Sequence, residues 1–164
     1  MHGRGEGSGA PHRFESQSVK ARQISLGEVP SVNAAIQRVI GVRFAEVLSL
    51  APALDSKESQ ELHSLRIACK RLRYSLELFS KELPTLKAAA QRFTQLQDEL
   101  GSLHDCDVLL GLAQQHGASR VQHRVRRDRE RHFLRAKALW LDAFTQGGPF
   151  APLVAYTGLN TVQV

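Results

Sequence analysis

The stretch LHSLRIACKRLRYSLELF, residues 62–79, decides the fold of this chain. Apolar side chains recur in it at intervals of three and four residues, which is the period of an α-helix with one buried face. These side chains are Leu62, Leu65, Cys69, Leu72, Leu76 and Phe79. The pattern predicts an amphipathic helix over residues 57–81, capped by Asp55 or Ser56 and closed before Pro84.

The sequence on both sides of this stretch repeats the helical period, and no strand pattern competes with it. The spacing predicts a helix near 31–50 capped by Ser31, a third near 86–100 that Gly101 ends, a fourth over about 108–117, and a last one near 119–144. Val121 of the last helix is expected to face the core. The largest predicted core side chains are Leu65, Leu72, Leu76, Phe93 and Trp140. The predicted fold is all-α, an antiparallel bundle of about four to five helices with short loops.

Composition divides the chain into three segments. Residues 1–30 hold five of the twelve glycines and no sustained period, so we predict a flexible tail there. Residues 31–144 form the predicted bundle. Residues 145–164 begin with a Gly-Gly-Pro break and are predicted to be irregular, packed through Phe150 and Leu153.

Length and residue usage exclude several classes of protein. The 164 residues, 42% of them hydrophobic, suit one domain. Cys69 and Cys106 lie far apart, which argues against a disulfide framework and a cysteine-based zinc site. No apolar run approaches the roughly 18 to 20 residues that span a bilayer, and no signal peptide is evident. We expect a cytoplasmic protein with no membrane association, no metal and no cofactor.

Positive charge is concentrated in one part of the sequence. Lys and Arg number 22 against 16 Asp and Glu, which gives a net charge of +6 and favours polyanionic partners. Residues 120–137 contain roughly eight basic and two acidic side chains, so this segment alone accounts for the net charge of the chain. The basicity is therefore local.

Helical projection separates this charge into two strips. At 100° per residue, one face of the helix over 57–81 presents a first basic strip about 15 Å long, opposite the apolar stripe. The first basic strip consists of His63, Arg66, Lys70 and Arg73. Arg71 lies at its boundary. The last helix presents a second basic strip, Arg120, Arg124, Arg127 and Arg131, with Arg135 at its margin. Stacked arginines repel one another, and a phosphate-bearing partner would offset this repulsion through bidentate contacts.

The stretch over residues 62–79, followed by LQDELGSLHDCDVLLGL over residues 96–112, closely resembles the CHAD family, the conserved histidine α-helical domains. The family pattern is a His, an Arg three residues later, a Lys-Arg-Leu-Arg-Tyr block, and Leu-Gly before an Asp-x-Asp-Val turn. The matching positions here are His63, Arg66, Lys70, Arg71, Leu72, Arg73, Tyr74, Leu100, Gly101, Asp105, Asp107 and Val108. The resemblance covers most of residues 55–144.

The resemblance implies a non-catalytic helical domain that binds inorganic polyphosphate through basic side chains lining a groove, in association with polyphosphate granules. Matching the motif gives the candidate ligand-binding residues His63, Arg66, Lys70, Arg71, Arg73 and Tyr74. The helical stripe adds Arg124, Arg127 and Arg131. No catalytic residue is assigned, and the expectation is that the protein is not an enzyme.

Family members usually contain two helical halves facing each other across the groove, whereas this chain shows the motif once and resembles the second half. Three interpretations follow. The protein is a shortened form with an incomplete groove, a homodimer that rebuilds the groove by two-fold symmetry, or a fragment of a longer product.

Three rival interpretations use the same residues. His63 beside cations on a bundle helix resembles a histidine phosphotransfer domain, although the bulky Ile67 stands where a small residue is usual. His104-Asp105 resembles the metal-binding pair of phosphohydrolases, but the further ligands are missing. We expect Asp105 instead to stabilise the start of the fourth helix, and Asp107 to do the same or to pair with an arginine of the second basic strip. Nucleic acid is the competing polyanion, although Tyr74 is the one aromatic side chain beside the strips.

Overall fold

The structure is a computed structural model that describes residues 20–159 of the chain. Helices account for most of these residues. The α-helices are α1 (Val32–Leu50), α2 (Ala53–Ser56), α3 (Ser59–Leu78), α4 (Lys87–Gln115), α5 (Ser119–Ala143) and α6 (Ala151–Thr157). A single 3₁₀ turn, Pro84–Leu86, precedes α4. No strand occurs within residues 20–159. The predicted all-α fold is confirmed.

The first two long helices begin differently from each other. Ser31 caps α1 as predicted, because its hydroxyl accepts a hydrogen bond from the Ala34 N–H at 3.2 Å. The predicted cap of α3 is wrong, since Asp55 and Ser56 both belong to α2. This short helix ends at Ser56 and is followed by Lys57, whose φ of 60° is left-handed, and α3 starts only after it.

Helix α4 runs without interruption through Gly101, so the predicted end of a third helix at this glycine is wrong. Phe93, Leu96, Leu100 and Leu103 continue one buried stripe across the glycine. Packing along this stripe outweighs the cost of about 1 kcal/mol that a glycine adds inside a helix. Asp105 therefore lies inside α4 on an exposed position, and its predicted role at a helix start is also wrong.

The bundle is built by successive antiparallel neighbours. Helix α3 packs against both α1 and α4, and α4 packs against α5. All five of the large side chains predicted for the core, Leu65, Leu72, Leu76, Phe93 and Trp140, are buried. A single hydrophobic cluster thus holds the helices together.

The hairpin between α4 and α5 extends past the start of α3. Arg129 of α5 contacts both Asp107 and Ser59, which places Asp107 level with the beginning of α3. Four apolar side chains beyond this level remain about half exposed: Val108, Leu109, Leu112 and Val121. The prediction that Val121 faces the core is wrong, because no part of α3 reaches it.

The C-terminal segment is more ordered than predicted. Phe150 and Leu153 are fully buried, as expected, but residues 151–157 form α6, so the predicted irregular segment is wrong in this part. The chain reverses at Gly147 and Gly148, where a Cβ on Gly148 would lie 2.7 Å from the Ala143 carbonyl oxygen. The reversal brings the Phe150 ring to 4.5 Å from that of Phe93.

The predicted N-terminal tail falls partly outside the described residues, which begin at residue 20. Residues 20–30 contain no helix, yet they lie along α1. The Arg38 side chain donates to the Leu26 carbonyl at 2.8 Å, and Arg43 donates to the Arg22 carbonyl at 3.2 Å. Within the described part of the chain, no helix is both long and apolar enough to cross a membrane.

Candidate functional site

The first basic strip lies along the line where α3 packs against α4, which we call the α3–α4 groove. Two contacts fix the register of these helices. The rings of His63 and His104 have centroids 4.8 Å apart, and Nε of Arg73 donates to Oε1 of Gln97 at 2.9 Å. Since the helices are antiparallel, the α3 segment between His63 and Arg73 faces the α4 segment between Gln97 and His104.

His63 is partly buried at one end of this groove. Its Nδ1 is inaccessible and has no hydrogen-bond partner among the described residues, whereas its other ring nitrogen is not occluded in this way. Desolvation, the neighbouring His104 ring and the Arg66 guanidinium lower the pKa of His63 from its ordinary value. The imidazole is therefore neutral around pH 7, and a nearby anion would favour its protonation.

Arg66 and Lys70 form the middle of the strip and carry uncompensated charge. Both side chains are partly buried. No carboxylate of residues 20–159 lies within ion-pair distance of either. Nε of Arg66 is occluded, but its terminal nitrogens are not. Because partial burial weakens screening by water, two unpaired cations at this position attract an anion strongly.

Arg73 and Tyr74 close the other end of the strip. The Arg73 guanidinium binds Glu77 at 2.7 Å and lies 4.5 Å from the Tyr74 ring centroid. The Lys70 ammonium approaches the same ring at 5.7 Å. Arg73 is thus held in place with part of its charge offset, while Tyr74 is 50% exposed.

Arg71 is engaged between α1 and α3 and not in the groove. Its guanidinium binds a carboxylate oxygen of Glu46 at 2.8 Å, and Arg43 binds the other oxygen at 3.0 Å. Glu46 is only 2% exposed. A buried carboxylate needs such partners, so this contact gives Arg71 a role in holding the bundle together. Its assignment to ligand binding stays a prediction.

The second basic strip points away from the bundle. Arg129 marks the side of α5 that faces α4, and Arg124, Arg127 and Arg131 lie about 140 to 160° from it around the helix. All three are exposed. Arg131 pairs with Asp128 at 2.9 Å, while Arg124 and Arg127 have no ion-pair partner among the described residues. Since the second basic strip lies on the side of α5 opposite Arg129 and α4, the two strips do not face one groove within a single chain.

The inward arginine of α5 has a different role from those of the strip. Arg129 binds Asp107 at 2.6 Å and also donates to the Lys57 carbonyl at 3.0 Å. Asp107 therefore pairs with an arginine, as one of the two sequence interpretations held, but this arginine is not a member of the second basic strip. The contact ties together the start of α3 and the adjoining turns of α4 and α5.

His104 belongs to the site geometry although sequence reasoning did not assign it there. The predicted helix break at Gly101 removed it from the helix opposite His63. The signal was available, because Gln97, Gly101 and His104 have the i, i+4, i+7 spacing of one helix face.

The rival sites are less well supported by this geometry. Among the residues described, no group of three or more His, Cys, Asp or Glu side chains is arranged to hold a metal ion. A phosphotransfer histidine must be open to a partner protein, whereas His63 is partly buried against His104. Burial raises the pKa of Cys69 to about 12, which fits a packing role and not a nucleophile.

Comparison with protein families gives one match. The family model of the CHAD domain matches residues 12–114, more than half of the chain. The match includes α1 to α3, α4 as far as residue 114 and the whole first basic strip, and it ends before α5. The second basic strip lies outside it. No curated protein and no solved structure matches the chain.

Proposed function

This chain belongs to the CHAD-domain family, and we propose that it binds inorganic polyphosphate through the first basic strip without turning the polymer over. One observation carries the proposal. Arg66 and Lys70 lie partly buried in the α3–α4 groove without a carboxylate partner among residues 20–159, inside the part of the chain that the family model matches. Unpaired, partly desolvated cations are favoured when an anion completes their environment.

The side chains of the strip have complementary capacities for phosphate oxygens. Arg66 offers a planar fork that suits bidentate contact, and Lys70 offers a compact charge. His63 adds a donor whose charge increases when an anion approaches. Each charge-assisted hydrogen bond contributes about 1.5 to 3 kcal/mol, so a few simultaneous contacts along about 15 Å of helix suffice for micromolar binding.

The second basic strip has a supporting part in this proposal. Arg124, Arg127 and Arg131 are exposed to water, whose high dielectric constant weakens each charge, so each contributes little to a specific contact. Their combined field raises the local concentration of a polyanion and accelerates its encounter with the protein. Contacts at this strip are expected to disappear as salt increases.

Titration with competing polyanions tests the proposal. The purified full chain is titrated with long-chain polyphosphate, duplex DNA and single-stranded RNA, each at low and at near-physiological salt, with phosphate release measured in parallel. We expect polyphosphate binding to persist at the higher salt, nucleic-acid binding to fall sharply, and no phosphate to be released.

Three results would contradict this expectation. Equal loss of all three polymers at higher salt indicates generic electrostatic attraction, and a preference for DNA or RNA indicates a nucleic-acid-binding protein. An acid-labile phosphoryl label that His63→Ala abolishes indicates phosphotransfer instead.

A homodimer that completes a two-lobed groove, a cytoplasmic location and an association with polyphosphate granules stay predictions. Light scattering after size-exclusion chromatography tests whether the homodimer forms. A dimer mass with or without polyphosphate supports a shared groove, and a monomer mass in both conditions supports a groove confined to one chain.

A further inference from the structure

We infer that one phosphoryl group binds above Gly101 in the α3–α4 groove, at a site that we call the phosphate seat. Arg66 and Lys70 of α3 and His104 of α4 border this site. The inference rests on the proposed function and deepens it, since it assigns a place at which one phosphoryl group of the polymer sits.

The register of the two helices places Gly101 opposite the middle of the first basic strip. Gln97, Gly101 and His104 lie on one face of α4, at i, i+4 and i+7. Gln97 is hydrogen-bonded to Arg73, and His104 contacts His63. Gly101 is between these two contacts on α4, as Arg66 and Lys70 are between them on α3.

Neither the backbone nor the packing of α4 accounts for a glycine at this position. Gly101 lies within a continuous helix and is not among the described residues with a positive φ. A Cβ built on it would have no atom within 4 Å, in contrast to Gly148, where a Cβ would meet backbone oxygens at less than 3 Å. An alanine would fit here and would favour the helix. The glycine therefore leaves space that the fold does not use.

The groups around this space point to an anion as its occupant. Arg66 and Lys70 have no carboxylate partner among the described residues, and the terminal nitrogens of Arg66 are not occluded. A phosphoryl group above the glycine would lie close to the backbone of α4, within reach of cations on α3 and the imidazole on α4. Glycine permits this close approach, which a larger side chain would block.

A substitution series that changes no charge tests the seat. Gly101→Ala and Gly101→Leu are compared with Gly111→Leu, a matched control in the same helix that also has open space at its Cβ position. Gly111 lies about 15 Å further along α4, beyond the start of α3. Polyphosphate affinity and the melting temperature are measured for each variant.

We expect Gly101→Leu to weaken polyphosphate binding about tenfold and Gly101→Ala to weaken it about twofold. Gly111→Leu should bind like the original chain. None of the variants should melt at a lower temperature, because Ala and Leu are better helix formers than Gly. The Gly101→Ala variant keeps the test valid if the larger leucine disturbs folding.

The failure of this inference is distinguishable from that of the proposed function. If Gly101→Leu binds normally while Arg66→Ala/Lys70→Ala binds weakly, the seat is overturned and the strip stands. Equal weakening by Gly101→Leu and Gly111→Leu also overturns the seat. If Arg66→Ala/Lys70→Ala binds normally, both proposals fail.

Discussion

The two basic strips carry charge of the same sign on helices of the same bundle, but their surroundings differ. The first lies in the α3–α4 groove, where its middle cations are partly buried and face Gly101 and His104. The second projects from the outer face of α5 into solvent, and it contains more arginines. The strip with more charge is thus the more exposed one.

We infer from this difference that charge density alone does not indicate which strip binds a polyanion. Water screens the exposed arginines of α5, and ordering such long side chains in a contact costs entropy. The cations of α3 are already restricted by neighbouring side chains, and their lower dielectric surroundings strengthen contact with an anion. We therefore expect the smaller strip to contribute the larger share of binding energy.

The largest expected effect comes from removing two charges from each strip in turn. Arg66→Ala/Lys70→Ala should weaken polyphosphate binding about a hundredfold at near-physiological salt, from two charge-assisted contacts of about 1.5 kcal/mol each. Arg124→Ala/Arg127→Ala removes the same charge and should weaken it less than about fivefold. Fluorescence anisotropy with end-labelled polyphosphate measures both.

Circular dichroism and melting provide the control for this pair, because both variants should retain the helical signal. If both double variants weaken polyphosphate binding equally, the two strips do not differ in their contribution. If the α5 variant weakens binding more, the second strip is the main binding surface.

A smaller effect is expected on stability when arginines on opposite sides of α5 are compared. Arg129→Met breaks the 2.6 Å ion pair with Asp107 and the contacts with the start of α3, so we expect a loss of about 1 to 3 kcal/mol in the free energy of unfolding. Arg127→Met should change it by less than about 0.5 kcal/mol. Urea denaturation gives both values. Equal losses would mean that the inward and outward faces of α5 are not distinct.

The smallest expected effect is a pH dependence confined to the first strip. Desolvation, His104 and Arg66 keep the pKa of His63 below its ordinary value in the free protein, and a bound polyanion would raise it. Binding then takes up protons, so affinity should rise a few-fold as pH falls from about 8 to about 6. At pH values below the pKa of His63 in the free protein, the affinity should stop increasing.

Two variants test whether His63 causes the pH dependence of binding. His63→Gln should reduce it, whereas His123→Gln, an exposed histidine beside the second strip, should leave it unchanged. A pH dependence that persists in His63→Gln would show that other groups take up the protons.

Much of the fold could be predicted from the sequence because the apolar period directly reports which side of a helix is buried. The exceptions are positions where distant packing outweighs local preference. Gly101 has the character of a helix end, but the buried stripe from Phe93 to Leu103 continues past it. Helix α6 is too short to show a period, and its place depends on burial of Phe150 among aromatic side chains from other helices.

The sequence predicted which candidate site residues share one face of a helix, but not which residues of different helices lie together. Projection placed His63, Arg66 and Lys70 on a common face, and the structure has them there. It could not show that Arg71 binds Glu46, because that contact joins positions 25 residues apart on different helices. Nor could it show that His104 lies against His63, since this required α4 to be continuous.

We propose that a polyphosphate chain occupies the α3–α4 groove and not the outer face of α5. Amide chemical-shift mapping of the ¹⁵N-labelled chain during titration with polyphosphate at near-physiological salt distinguishes these two surfaces. We predict that the largest shifts fall on residues 63–74 and 97–105, with Gly101 among them, and that residues 120–131 shift little. Large shifts confined to residues 120–131 would place the polymer on α5 and not in the groove.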